Sequence, residues 1–529
     1  MQNKHSTSFT KWVVLGLFVL LFLNGEANLA YSDSSYNIVD FGAVPDGETL
    51  NTKFIQEAID ICFKKGGGTV YIPSGPFLTG PIELKSNIRL YIESGAVLIF
   101  SDDPQHYPAV RTRWAGTMCY AHHPLIFARE AKNVTICGAG IVDGQGGAWW
   151  QRFADVRYEK NYKPQTKIEK EFARLNKGIS GGYMEWAHYH FRPPLVQLYS
   201  CENVMIRDVT LQNSPFWTVH PLFSKNINIE NVTIKGPHDS PNTDGIDIDS
   251  SSQIRIQGCH ISVGDDCIVL KSGLDQEGRD IGIPTDDVTI MNCTMYAGHG
   301  GVVVGSEMSA DVRNVVISNC VFNGTDRGIR LKSRRGRGGV VENIRVSNII
   351  MQEVEEAIVM NMFYESGPPH PSVADAIPLF RNVQMSQIQI SNSKKFGYLR
   401  GLQDMPLQNI RLSDVTCNAQ TGLECQDVNG LELFDIKVKV DNGPALKCIN
   451  VSDLNIRGFD PGPYTKQLDS FINLESSHSV CIDQCNIPSA MTHFVELSGP
   501  STRDIRIVEN MRPYLFLNDS VSTSEIRSF

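Results

Sequence analysis

The sequence predicts an all-β solenoid, a right-handed single-stranded parallel β-helix, and two observations carry that expectation. First, a short module recurs, a polar residue followed by an alternating apolar run. It stands at Asn133-Val134-Thr135-Ile136, Asn203-Val204-Met205-Ile206, Asn226-Ile227-Asn228-Ile229, Gln253-Ile254-Arg255-Ile256 and Asp287-Val288-Thr289-Ile290, and again from Asn314, Asn343, Asn382 and Asn409. Most steps are about 23–39 residues, with one of about 70, the scale of stacked coils. Second, the units hold strands and turns without long amphipathic helices, which suits leucine-rich or helical solenoids poorly, and a propeller would want four strands per blade. Asn and Asp at the module starts read as turn or ladder residues.

The elements follow in chain order. Lys4, His5 and Lys11 precede an apolar run from Trp12 to Leu23 and then Asn24-Gly25-Glu26-Ala27. A basic start, a short apolar stretch and small residues at the end describe a signal peptide over residues 1–27. The run is shorter than the roughly 20 residues of a comfortable membrane span, so secretion to the extracellular space or cell wall is preferred over an uncleaved signal anchor. Between Asn51 and Lys65, Phe54, Ile55, Ala58, Ile59, Cys62 and Phe63 fall at helical spacing, and Gly66-Gly67-Gly68 stops the pattern. This short helix is expected to cap the open end of the solenoid. The catalytic domain is placed at residues 37–500, with a tail from 501 to 529.

The longest step contains an insertion at about residues 144–192, rich in aromatic residues: Trp149, Trp150, Tyr158, Tyr162, Tyr183, Trp186, Tyr189 and Phe191. Long insertions in solenoids form loops on one face, so it reads either as a wall of a binding groove or as a lid with its own small core.

Composition narrows the classes. Over 529 residues, 41% hydrophobic and 20% charged content describes a folded chain, and a net charge of −10 argues against nucleic-acid binding. A polyanionic ligand would need a local basic cluster. Thirteen cysteines in an exported chain suggest several disulfides with at least one thiol left over, and no spacing resembles a zinc site. Glycosylation sequons begin at Asn133, Asn231, Asn292, Asn323, Asn450 and Asn518.

Polar groups concentrate between Asn242 and Tyr364. Asp244 precedes an alternation with Ile246 and Ile248 inside and Asp247 and Asp249 outside. Asp244 lies about one coil before Asp265 and Asp266, and Gly264 permits a bend that lets both of the latter reach one cleft. Crowded carboxylates repel, so one pKa should rise, as a general acid requires. His299 lies one coil further on, between Gly298 and Gly300. Arg330 and Lys332, two apart, share a strand face, and Arg334, Arg335 and Arg337 follow, so a positive patch sits beside the carboxylates. It either neutralises the aspartates or grips a ligand carboxylate, and the second reading is preferred.

Together Asn242-Thr243-Asp244, Gly264-Asp265-Asp266, Gly298-His299-Gly300 and Arg330-Leu331-Lys332 resemble the motifs of glycoside hydrolase family 28, the polygalacturonase family. Asp40-Phe41-Gly42-Ala43, Thr79-Gly80 and Leu84-Lys85-Ser86-Asn87 resemble the start of its plant and bacterial members. The resemblance implies hydrolysis of α-1,4-galacturonosyl linkages of pectin with inversion, for which acid and base stand roughly 6.5–9.5 Å apart. By similarity, Asp265 is the general acid, Asp244 and Asp266 hold and activate water, and His299 tunes the acid. Arg330 and Lys332 grip the substrate carboxylate, and Tyr364 lines the cleft. No metal or organic cofactor and no stable protein partner is implied; the partner is a pectic polysaccharide. Arg192-Pro193-Pro194, closing the insertion, resembles exo-acting members. A cross-coil disulfide between Cys267 and Cys293 is an open expectation. The rivals are a calcium-dependent pectate lyase, a non-catalytic carbohydrate-binding β-helix, and a hydrolase of another pectin backbone such as rhamnogalacturonan or xylogalacturonan.

Overall fold

Each coil of the chain contributes one short strand to each of three parallel faces. One coil runs through Lys225–Glu230, Thr233–Lys235 and Ile246–Asp249, and the next through Ser252–Gln257, His260–Ser262 and Asp266–Lys271. The computed structural model describes residues 34–528 except 160, 180–182, 366–375, 462–469, 489–490, 492 and 519. The expected signal peptide lies outside the described residues, as does the side chain of Trp186. The fold is a right-handed parallel β-helix.

Register explains why the modules repeat. On the first face Ile227, Ile254, Val288, Val315, Ile344, Val383 and Ile410 pair in succession, each buried directly above the last. On the third face Val219, Ile246, Ile268, Val302, Ile329 and Ile358 do the same. Burying each such side chain contributes about 1.5–3 kcal/mol, and a one-residue slip would turn a whole column outward. The polar residue opening each module takes a left-handed turn. Asn226 has φ 56°, Gln253 58°, Asp287 55°, Asn314 56° and Asn343 57°, a conformation that Asn and Asp tolerate best. Some also bond along the stack: Asn226 donates to Asn203 at 2.7 Å and Asn343 to Asn314 at 3.1 Å.

The helix Thr52–Lys64 buries Ile55, Ala58, Ile59 and Cys62 against the first coil, while Phe63 is exposed. At the far end the stacking runs on where a tail was expected. Val480 pairs with Ile505 and Ile505 with Ile526, because the alternating apolar pattern continues in Arg503–Ile507 and Ile526–Ser528.

Two excursions cover the third face: the antiparallel hairpin Ala109–Trp114/Thr117–His122, and the insertion, with helices Gly146–Val156, Lys167–Leu175 and Met184–Ala187. Thr166 and Glu169 form a reciprocal capping box on the second helix. Hairpin and insertion share a core separate from the solenoid's, with Trp114, Cys119, Phe172, Phe191, Phe216 and Trp217. Trp149 instead joins the main core, and Tyr158 is exposed.

All thirteen cysteines are free, against the expectation of several disulfides. Cys267 does not meet Cys293: its thiol donates to Ala297 O at 3.2 Å. Inward-facing cysteines serve as small apolar core residues here.

Candidate active site

The site forms where outward positions of the third face meet the two excursions. Gly245 N donates to Asp266 O at 2.9 Å, and His299 N to Asp265 O at 2.9 Å, so Asp244, the Asp265-Asp266 pair and His299 occupy three successive coils. Val303 pairs with Arg330 on the next coil, Lys332 with Asn361 on the one after, and Tyr364 N donates to Ser333 O at 3.0 Å. All seven sequence-predicted residues line one cleft of about 300 Å³.

Asp265 and Asp266 reach the same cleft because the strand starts at Asp266, so the alternation that would separate neighbours has not yet begun. Gly264 matters by close approach: a Cβ there would lie 2.2 Å from Ser240 O. One oxygen from each of Asp244, Asp265 and Asp266 lies within 4.8 Å of the other two. They approach this closely because Asp244 and Asp266 stand in adjacent coils, whose strands are about 4.8 Å apart.

Each carboxylate has a cationic neighbour. Asp265 Oδ1 lies 3.2 Å from His299 Nδ1 and accepts the Asp266 N–H at 2.9 Å. Asp265 Oδ2 accepts from Asn242 Nδ2 at 3.4 Å. Asp266 accepts from Lys332 at 2.7 Å and faces Arg330 at 3.7 Å. Asp244 faces Lys271 at 3.4 Å. The positive strand residues thus neutralise an aspartate as well as lining the cleft. The arginines that follow do structural work. Arg337 is buried and pairs with Asp275 at 2.7 Å, and Arg335 pairs with Asp404. A free patch there does not form because these side chains close the turn onto neighbouring elements.

The charges distribute unevenly. Burial pushes Asp244 up to about 8 against the pull of Lys271. Burial also works on Asp265, but the hydrogen bond and charge of His299 win and hold it below the usual carboxylate range. His299, bonded to Asp265, rises to about 9. The carboxyl whose pKa rises is therefore Asp244, whereas the expected general acid was Asp265. The Asp265–His299 pair together keeps one proton up to about pH 9, with the proton on the imidazole.

Beneath the cleft lies a buried polar layer that the sequence reading missed. Asp247 and Asp249 point away from the solenoid core, as alternation predicts, yet neither is exposed, because the hairpin covers them. Arg113 of the hairpin bonds Asp249 at 2.7 Å, and Lys271 forms an ion pair with Asp247 at 2.8 Å beneath the Trp217 ring. The Lys271 ammonium, 3.6 Å from that ring centre, also lines the cleft. Its signal was present in the register, since Lys271 stands directly opposite Asp249. The insertion supplies Phe153, Arg157, Tyr183 and Ala187 to the cleft wall, and Asp326, Arg327 and Glu307 complete the rim. Tyr364 sits beside the cations, its ring centre 5.4 Å from the Arg330 guanidinium and 5.2 Å from the Lys332 ammonium.

Clustered carboxylates in an aromatic-walled cleft on a parallel β-helix define a carbohydrate-cleaving enzyme of the hydrolase class. The model for glycosyl hydrolases family 28 matches residues 184–440, and one for rhamnogalacturonase A/epimerase, pectate lyase-like, matches 35–162. A probable polygalacturonase of Vitis vinifera is 34% identical over 412 residues, covering 75% of this chain and 78% of that one. An exo-poly-alpha-D-galacturonosidase of Dickeya chrysanthemi is 31% identical over 349 residues, 62% of this chain and 57% of that one. Among solved structures, a hyperthermoactive exopolygalacturonase from Thermotoga maritima matches with a TM-score of 0.64 at 32% identity, covering 76% of this chain and 92% of that one. The chain belongs to glycosyl hydrolases family 28.

Proposed function

We propose that this glycoside hydrolase is an exported polygalacturonase that cleaves α-1,4-galacturonosyl linkages of homogalacturonan from chain ends. The observation that carries the substrate is Arg330 and Lys332 beside three clustered carboxylates in one cleft, a cation pair suited to a uronate carboxylate. The exo mode is supported by the insertion wall, where Phe153, Arg157, Tyr183 and Ala187 bound the cleft, and by similarity to exo-acting relatives. Export rests on the apolar N-terminal pattern; among the described residues no helix is long and apolar enough to cross a membrane.

Asp265 serves as proton donor to the leaving oxygen, drawing on the proton it shares with His299. A uronate carboxylate that engages Lys332 weakens one of the positive charges depressing Asp265, which moves that proton toward the carboxyl. Asp266 takes the proton from the attacking water, and Asp244 orients that water. Inversion follows from the family resemblance, and the anomer formed is a direct test of it. A calcium-dependent elimination fits the donor set poorly, since each of the three carboxylates already faces a protein cation.

The experiment is hydrolysis of polygalacturonate with products sized over time. Monogalacturonate from the first time points, initially as the inverted anomer by NMR, is the expected result, and Asp265→Asn should remove it. Early mixed oligomers refute the exo mode, an unsaturated product refutes hydrolysis, and full activity in Asp265→Asn refutes the assignment of the acid.

A further inference from the structure

The insertion ends in an arginine whose placement goes beyond forming a wall. Arg192 is buried, 1% exposed, and its side-chain hydrogen bonds among the described residues go to carbonyl oxygens and an amide rather than to a carboxylate. Its guanidinium spends its bonds on the turns preceding two successive strands of the third face. It donates to Pro215 O at 3.0 Å, to Pro241 O at 2.5 Å and to Asn242 Oδ1 at 2.8 Å. The Phe153 ring, which lines the cleft, covers it with its centre 4.1 Å away, and the hairpin's Trp114 donates to the Arg192 carbonyl at 3.0 Å.

The contact with Asn242 fixes an orientation. A carboxamide has two nearly isosteric orientations, one the flip of the other, and a guanidinium has donors only. With Arg192 on one side, Oδ1 must face it and the NH₂ must face the other way. On that other side Asn242 Nδ2 meets Asp265 Oδ2 at 3.4 Å. This oxygen carries neither the Asp266 N–H nor the His299 contact, both of which fall on Oδ1.

We propose that Arg192 is a positioning residue: by locking the Asn242 amide it presents an N–H to Asp265 Oδ2 and ties the insertion to the proton donor of the proposed hydrolysis, on which reading the inference rests. An N–H aimed at that oxygen stabilises the carboxylate left behind after the proton has moved to the leaving oxygen. The relay therefore helps most when the leaving group needs protonation and little when it departs unaided. The buried positive charge of Arg192 acts in the same direction, since it and Asp265 attract one another.

The test compares polygalacturonate with an aryl α-galacturonide whose phenol leaves without a proton, using wild type, Arg192→Met and Asn242→Gly. Glycine accepts the φ of 53° at position 242 without strain, so that variant keeps the backbone and removes only the amide. Both variants should lose about 10²-fold in kcat on the polymer, the scale of a misplaced catalytic group. On the aryl substrate they should stay within a few fold of wild type, and Arg192→Lys should recover part of the polymer rate. Equal losses on both substrates would mean a merely structural arginine, as would a polymer defect in Arg192→Met that Asn242→Gly does not share. If wild type cleaves neither substrate, the proposed function falls first and the relay with it. If wild type cleaves both and the variants match it, the relay alone is wrong.

Discussion

Replacing Lys271 with Met should destabilise the protein in a strongly pH-dependent way. Lys271 is 4% exposed and is the single ion-pair partner of the fully buried Asp247 among the described residues, as well as the neighbour of Asp244. Met keeps most of the stem under the Trp217 ring and removes the charge. Deleting one partner of a buried pair costs about 3–5 kcal/mol, because the other charge stays desolvated and uncompensated. The acids can escape by taking up a proton, which fixes the sign. Burial already raises Asp247 well above its ordinary value and Asp244 to about 8. Between their unfolded and folded pKa values the native protein holds protons that the unfolded chain has released, so stability falls as pH rises. Without Lys271 both acids rise further, and the fall continues to higher pH. Urea unfolding followed by tryptophan fluorescence should therefore show a small gap between wild type and Lys271→Met that stays level up to about pH 8, where both acids are protonated in either native protein, and opens toward about 3–5 kcal/mol only above it. A gap that stays flat above about pH 8, or is widest in acid, would refute the view that Lys271 offsets buried carboxylate charge.

Two further expectations concern the cleft. The rate should fall on the alkaline side with a midpoint near 9, where His299 loses its proton, and His299→Gln should lower the rate and remove that limb; an unchanged limb in the variant would assign it elsewhere. Lys332→Met removes the 2.7 Å partner of Asp266 and one of two cations facing the substrate uronate. It should raise KM on polygalacturonate more than on a methyl-esterified oligomer, and equal effects on the two would place Lys332 on Asp266 alone.

How much of this was legible in the chain depends on the range of the signal. The coil register was legible because each module carries its own strand pattern and turn residue, and the same inward column repeats from Ile227 to Ile410. The seven cleft residues were legible for a related reason: in-register stacking converts a sequence step of one coil into spatial adjacency. The buried layer was not, since Asp247 and Asp249 read as solvent-facing on alternation alone. Their burial depends on Arg113, more than a hundred residues away in a hairpin whose antiparallel pairing breaks the solenoid rhythm. The arginines after Lys332 misled for the converse reason. A local run of like charge looks like a patch until Asp275 and Asp404 arrive from other coils to pair with it. Arg192 was noticed only as part of a motif, because its partners are backbone carbonyls and an amide, which leave no compositional trace.

The electrostatics also answer how an acidic chain holds an acidic polymer. The protein carries a net charge of −10, which at long range opposes a polyuronate. Inside the cleft the count reverses. Arg157, Lys271, Arg327, Arg330 and Lys332 match the acidic side chains that line it, and His299 stays cationic to about pH 9 while Asp244 stays protonated to about 8. The cleft is therefore net positive at neutral pH although the surface around it is not. Screening strengthens the contrast, since charges beyond a Debye length of about 8 Å at physiological salt contribute little to a ligand already in the cleft. The protonated Asp244 and cationic His299 that complicate a simple assignment of acid and base are the same two features that give the cleft its attraction for a carboxylate. As pH rises through about 8 and then about 9, both are lost in turn, so affinity for the anionic chain should weaken.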